Sequence, residues 1–435
     1  MRNSRFVTLL AIAALLIAVF SLWRSFGVGR EVTEGPAAGG KTEPNIRPDV
    51  DRVANADERG RMEKYVADLQ ASKQIVVTIA GLEGETIDCV DVNGQPALRR
   101  PEMKGHVVQF APTTLPQGRG ESMTPEDKVL VPSQIYGLNG ERCPERSVPM
   151  TRLTMGTLKR FRTLDEFLRK QVDLQRPTGG GSSAVTHEYA HAARTVDNWG
   201  AESVFNVWSP YVERADEFSL SQMWVVRGSG GNLETVEGGW QVYRDLYGDW
   251  RAHLFIYFTP DNYGSGGCYN LSCNGFVQVN NSIHIGGGYT NYSTEGGTQY
   301  AFKLLWYKDG REGHWWLRHG DTWVGYYPRT LFDSNGLQND ASSVDFGGEI
   351  VNLKTDNRHT RTDMGSGNWP YQGYGSTAYQ RALRYVDTSN FYQQATNLNR
   401  SVTNDRCYDL SLHSSSGTWE QYFYFGGSGR NSECP

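Results

Sequence analysis

Apolar and polar residues alternate along most of the chain beyond residue 185, in short runs separated by Gly, Asn, Asp and Pro. Such runs at 203–208, 218–226, 236–243, 253–259, 275–280, 300–307, 313–317, 345–351 and 420–425 predict strands. Many short strands with turn signals between them argue for an antiparallel sandwich or barrel. No fixed-period repeat is present, which argues against a propeller or solenoid. The pattern is different before residue 176. Val53, Met62, Tyr65, Val66 and Leu69 recur at helical spacing within 50–72, and 152–175 mixes basic residues with Leu164, Phe167 and Leu168 in a way that predicts a second helix. Strand-like runs at 75–82 and 86–98 lie between them.

The same pattern divides the chain. Residues 6–23 are almost continuously apolar, with Arg2 and Arg5 before them and Arg24 after, so 1–27 is expected to be a signal peptide or an uncleaved signal anchor. Secretion after cleavage is the favoured outcome, and such an anchor would be the one tie to a membrane. Residues 28–48 read as a tether, 49–176 as a small α+β domain, 177–184 as a Gly/Ser linker exposed to proteolysis, and 185–435 as the β domain. With 49 glycines, 23 tyrosines, 12 tryptophans and 21% charged residues, composition agrees with a mainly β protein. A net charge of −5 offers no electrostatic footprint for nucleic acid. Six cysteines in an exported chain permit three disulfides in ~15 connectivities. Their positions favour Cys89–Cys143, Cys268–Cys273 and Cys407–Cys434 as structural staples.

Two stretches of the β domain carry chemistry. In Val236-Glu237-Gly238-Gly239-Trp240-Gln241-Val242, alternation sends Glu237, Gly239, Gln241 and Tyr243 to one face, and Val236, Trp240 and Val242 to the other. In Arg311-Glu312-Gly313-His314-Trp315-Trp316 the same count groups Glu312, His314 and Trp316. A solvated charge is the ordinary reading of a glutamate, but it fits poorly inside strands dense in Gly and Trp. Two strands of one sheet can bring Glu237 and Glu312 together as a pair sharing one proton, which activates water and protonates a leaving amine. Gln241 is a weaker candidate for the oxyanion, His314 for a polar contact, and Trp316 and Tyr243 for flat apolar surfaces beside the pair. Trp240 and Trp315 are assigned to the core.

The wording of these stretches resembles the neprosin family of glutamic endopeptidases. So does that of Asp216-Glu217-Phe218-Ser219-Leu220-Ser221-Gln222 and Gly267-Cys268-Tyr269-Asn270-Leu271-Ser272-Cys273. Gln95-Pro96-Ala97-Leu98 and Cys143-Pro144-Glu145-Arg146-Ser147-Val148-Pro149 resemble the activation-peptide domain that precedes the catalytic domain. The resemblance implies a β-sandwich of two antiparallel sheets, with Glu237 and Glu312 catalytic and no cofactor or metal. It further implies cleavage after proline in peptide or protein substrates, and a pro-domain that inhibits its own enzyme. A monomer is expected. Glu349, in Asp345-Phe346-Gly347-Gly348-Glu349, also matches a family phrase and is expected to be structural.

Three alternatives remain, one of them a two-carboxylate glycosidase, which uses the same residue types and is opposed only by the family resemblance. His187-Glu188-Tyr189-Ala190-His191 matches H-E-x-x-H, which on a helix would ligate zinc through His187 and His191 with Glu188 as base. The extended motif's further glycine and histidine are missing, and the segment follows the linker, where a surface strand is expected instead. An aromatic-rich sandwich can also be a non-catalytic carbohydrate-binding module.

Overall fold

The computed structural model describes residues 50–118, 129–170 and 185–435. The expected export segment, tether and linker lie outside the described residues. The surface strand expected around His187 is instead the central strand of the protein. Thr186–Asn206 runs for 21 residues and joins the two halves of one large, curled β-sheet. Its first half pairs with Ala341–Asn352 and Asn399–Val402, and its second half with Gln299–Lys308 and Ala378–Asp387.

From Ala341–Asn352 the first half of the sheet continues through Ser219–Arg227, Glu234–Val242 and His253–Thr259. The second extends from Gln299–Lys308 through Trp315–His319 to Thr322–Tyr327, and from Ala378–Asp387 through Gln421–Gly427 to Asp409–Ser414. All of these pairings are antiparallel, and the halves of the one curled sheet pack on each other as the expected antiparallel sandwich. Alternation explains the packing: Val236, Trp240 and Val242 turn inward to meet Phe302, Trp306 and Trp315 between the halves. The Trp240 indole N–H donates to the Asn206 carbonyl at 2.9 Å and that of Trp315 to the Leu337 carbonyl at 2.8 Å.

Residues 50–118 and 129–170 form a small α+β layer. The helix Ala56–Ala71 starts at Asn55, whose side chain accepts from the Glu58 N–H, and buries Met62 and Leu69. Ile75–Ala80, Thr86–Asp91 and Ser147–Thr151 make a three-stranded antiparallel sheet. The single helix expected over 152–175 is replaced by two short ones, Met155–Leu158 and Leu164–Leu168. Thr154 and Thr163 each cap a new helix start, accepting from the N–H of Thr157 and Glu166, and this outweighs the apolar spacing across the break. The disulfides are Cys89–Cys143, Cys268–Cys273 and Cys407–Cys434, the pairs expected from their positions.

Trp240→Ala removes a fully buried indole together with its hydrogen bond. It is expected to destabilise the β domain by about 3–5 kcal/mol, measured by chemical denaturation of the full chain.

Candidate active site

Strand register sets the floor of the site. On Ser219–Arg227, Trp224 lies opposite Glu237 on one side and Asp345 on the other. Two residues along, Gln222 lies opposite Gly239 and Gly347, and two further, Leu220 lies opposite Gln241 and Glu349. Glu237 and Glu349 therefore stand at diagonal corners of one sheet face, with Gln222 between them and no side chain on either flank of it. A Cβ on Gly239 would fall 1.9 Å from the Ser221 carbonyl oxygen, so the strands close to this spacing only around glycine.

Both carboxylates are fully buried and fully engaged. Glu237 Oε1 accepts from Thr235 Oγ1 and Tyr263 OH, each at 2.8 Å. Glu349 Oε1 lies 2.6 Å from His187 Nδ1, and its Oε2 accepts from Gln222 Nε2 at 2.9 Å. The two facing oxygens share one cation: Lys170 Nζ stands 2.9 Å from Glu237 Oε2 and 2.7 Å from Glu349 Oε2. The ammonium also lies 5.3 Å from the centre of the Trp224 ring, and the Lys170 amide donates to the Tyr257 hydroxyl at 3.2 Å. Lys170 belongs to the N-terminal layer. Phe161, Leu164 and Phe167 of that layer pack with Phe218, Tyr243, Phe255, Tyr257 and Tyr269, so the layer covers the face that holds the carboxylates.

The electrostatics follow from burial against pairing. Burial pushes the Lys170 pKa down, but Glu237 and Glu349 outweigh it and hold the ammonium above its ordinary value. Burial likewise pushes Glu349 up, yet Lys170 and His187 bring it below the usual carboxylate range. Burial, reinforced by the neighbouring Glu237, drives the Tyr263 hydroxyl well above the ordinary phenol value, so it remains a donor.

The pairing of Glu237 with Glu312 expected from the sequence is corrected by this geometry. Glu312 is not in a strand: the chain turns after Gln299–Lys308, Gly313 takes φ +75°, and the next strand begins only at Trp315. There it is partly exposed and close enough to His106 of the N-terminal layer to act on its charge. His314 is buried beside it, stacked on Tyr326 and edge-on to His106, and burial lowers its pKa to about 4. Trp316 packs with Val92, Ala97 and Met103 of the N-terminal layer, remote from the residues around Lys170. Gln241 shares the face of Glu237 but accepts from Tyr247 OH at 3.1 Å. The glutamine in contact with a carboxylate is Gln222. Tyr243 does line the covered face.

The zinc arrangement is also replaced. On a strand, His187 and His191 stand four residues apart, roughly 13 Å at about 3.3 Å per residue, and each has its own carboxylate. His191 Nδ1 lies 2.6 Å from Asp345 Oδ2, while Glu188 turns to the opposite face, where Asn352 and His359 hold it at 2.9 Å. Burial lowers the His191 pKa, but Asp345 outweighs it and keeps the ring above its usual value.

A family model described as Neprosin matches residues 215–428, and one described as Neprosin activation peptide matches residues 78–193. The chain belongs to the neprosin family. It is a peptidase carrying its own activation peptide, and Lys170 is the activation peptide's contribution to the carboxylate pair. Several solved structures also match, among them two peptidases. The first is scytalido-glutamic peptidase with a transition-state analogue inhibitor, 10% identical, covering 55% of this chain and 98% of that one, TM-score 0.31. The second is SCP-B, a member of the eqolisin family of peptidases, in complex with a tripeptide, 8% identical, covering 55% and 98%, TM-score 0.28. At such scores neither likeness bears on function.

The neprosin-like stretches gave Glu237 a role, included Gln222 without one, and did not reach Thr235, Tyr263 or Lys170. One signal for Glu349 was available: Glu237-Gly238-Gly239 is mirrored by Gly347-Gly348-Glu349, and on two strands running the same way either side of Ser219–Arg227 this sets Gly239 and Gly347 against Gln222 and the two glutamates at opposite ends.

Lys170→Ala leaves two buried carboxylates without their cation. It is expected to destabilise the closed chain by about 3–5 kcal/mol at pH 7, read by urea denaturation beside the wild type. Because the folded Glu349 pKa is depressed, its contribution is complete above the unfolded value near 4.3 and fades as pH falls through the lower folded value. Lys170, with its raised pKa, stays charged throughout that window. The gap between wild type and variant should therefore narrow at pH 3.

Proposed function

We propose that this chain is an exported, acid-active glutamic endopeptidase, made as a zymogen, that cuts peptides after proline with Glu237 and Glu349 as its catalytic pair. The observation that carries the reading is the single ammonium shared by Glu237 Oε2 and Glu349 Oε2. An ammonium and a water molecule are similar in size, so the place of Lys170 Nζ is one from which a water can contact both carboxylates once the activation peptide has gone. Two carboxyl groups that close do not both ionise without a cation, and one proton is shared between them. The ionised member takes a proton from water as it attacks the scissile carbonyl, and the protonated member delivers one to the leaving nitrogen. Such a pair works in acid.

The same lysine supports latency. Its charge neutralises the pair, its side chain fills the space between the two, and acid weakens its hold by protonating the carboxylates. The preference for proline draws on the family resemblance and on the aromatic face covered by Phe161 and Phe167, where Phe218 and Tyr243 lie 5.7 Å apart between ring centres. Flat rings of this kind suit a pyrrolidine. The apolar N-terminal segment supports export.

The test is cleavage of a quenched proline-containing peptide from pH 2 to 8 by the full-length chain after acid incubation. Activity is expected to peak in acid. Glu237→Gln and Glu349→Gln should each lower it by about 10²–10⁴-fold, while Glu312→Gln retains it. Full activity in Glu349→Gln, or its loss in a well-folded Glu312→Gln, would overturn the assignment.

A further inference from the structure

The two carboxylates are held by different kinds of donor. With Lys170 gone, Glu237 keeps two hydroxyl donors, Thr235 Oγ1 and Tyr263 OH, both on Oε1. Glu349 keeps an amide on Oε2 and an imidazole nitrogen on Oε1. A hydroxyl stays neutral over the working range of such a site, whereas an imidazole becomes a cation in acid. The other groups around Glu349 do not restore the balance. His191 is matched by Asp345 on the strand of Glu349, Trp224 is uncharged, Glu237 is the partner carboxylate, and Tyr263 and Tyr269 have pKa values well above the phenol range.

We infer that His187 is a positioning residue for the reaction proposed above: it orients Glu349 and keeps the charge of the pair there, leaving the shared proton on Glu237. The inference rests on Glu237 and Glu349 being the catalytic pair. It gives the first histidine of the H-E-x-x-H stretch a role without a metal. His187 is well placed for it. The ring packs edge-on against Phe218 at 5.8 Å between centres and lies near Tyr189 at 6.3 Å, which fixes the direction of Nδ1. Nε2 is buried in the closed form and meets no hydrogen-bond partner among the described residues. Release of the activation peptide opens this face to water, which can then meet Nε2.

The step balances as follows. Glu349 Oε2 receives a proton from water as the water oxygen bonds to the scissile carbon. Glu237 Oε2 then gives its proton to the amide nitrogen as the C–N bond breaks. The pair ends with its proton on Glu349, and return of that proton to Glu237 resets it. Since Oε1 of each carboxylate is tied down, both transfers use the facing Oε2 atoms.

The full-length chain, activated by limited proteolysis, is assayed from pH 2 to 8 as wild type, His187→Gln and His187→Phe, with Glu237→Gln and Glu349→Gln alongside and each fold checked by circular dichroism. His187→Gln keeps a neutral donor but not the cation. The acid limb of its kcat profile is expected to move up by about one pH unit, toward the value of a carboxylate without a cationic neighbour, with KM little changed. His187→Phe loses orientation as well, and its kcat should fall further than that of His187→Gln. A wild-type limb in folded His187→Gln, or equal kcat in the two variants, overturns the inference while leaving the carboxylate pair intact. Activity in both glutamine variants of the pair would instead overturn the reading beneath it.

Discussion

One ammonium balances two carboxylates that burial would otherwise keep from ionising together. Removing charges from water costs several kcal/mol per ion, and a lone buried carboxylate avoids that cost by taking up a proton. Here Lys170 stands within hydrogen-bond distance of both Glu237 and Glu349, and the raised ammonium pKa and lowered Glu349 pKa express its hold. The rest of the closed form is consistent with this balance. The aromatic residues of the N-terminal layer keep water away from the face, and the hydroxyl, amide and imidazole donors occupy the lone pairs that the lysine does not reach.

Positions in the site come from sheet geometry more than from loops. Glu237 and Glu349 lie on strands either side of Ser219–Arg227, so the register of two ladders fixes their separation and direction. His187 comes from a third strand, which continues into the opposite half of the curled sheet. A site built on paired strands is held by backbone hydrogen bonds that are far from the chemistry, and so it keeps its shape when its own side chains change.

The fold was largely legible because alternation is a local property. His253–Thr259 matched its expected bounds, and Trp240 and Trp315 were assigned to the core because period-2 counting gives facing directly. Glu237 was legible for the same reason. Glu312 was misread because counting assumes a strand, and Gly313 turns the chain there instead. Glu349 could be seen but not placed: its nearness to Glu237 depends on which strand lies between them, and strand order is not written in any one segment. Lys170 carried no local signal at all. A lysine in a basic, apolar stretch reads as a solvated charge until tertiary structure buries it beside two acids. The H-E-x-x-H match takes its meaning from a helix, and the segment is a strand, as its place after the linker led one to expect.

All six cysteines are paired within their own part of the protein, Cys89 with Cys143 in the N-terminal layer and the other four within the sandwich. No covalent bond other than the backbone therefore joins the layer to the sandwich. While that backbone is whole, the layer's effective concentration at the carboxylates is set by the short connection and dilution cannot displace it. A single backbone cut turns the contact into an ordinary bimolecular equilibrium. Inhibition then becomes a matter of volume, strong where the pieces stay crowded together and weak where they are free to diffuse apart.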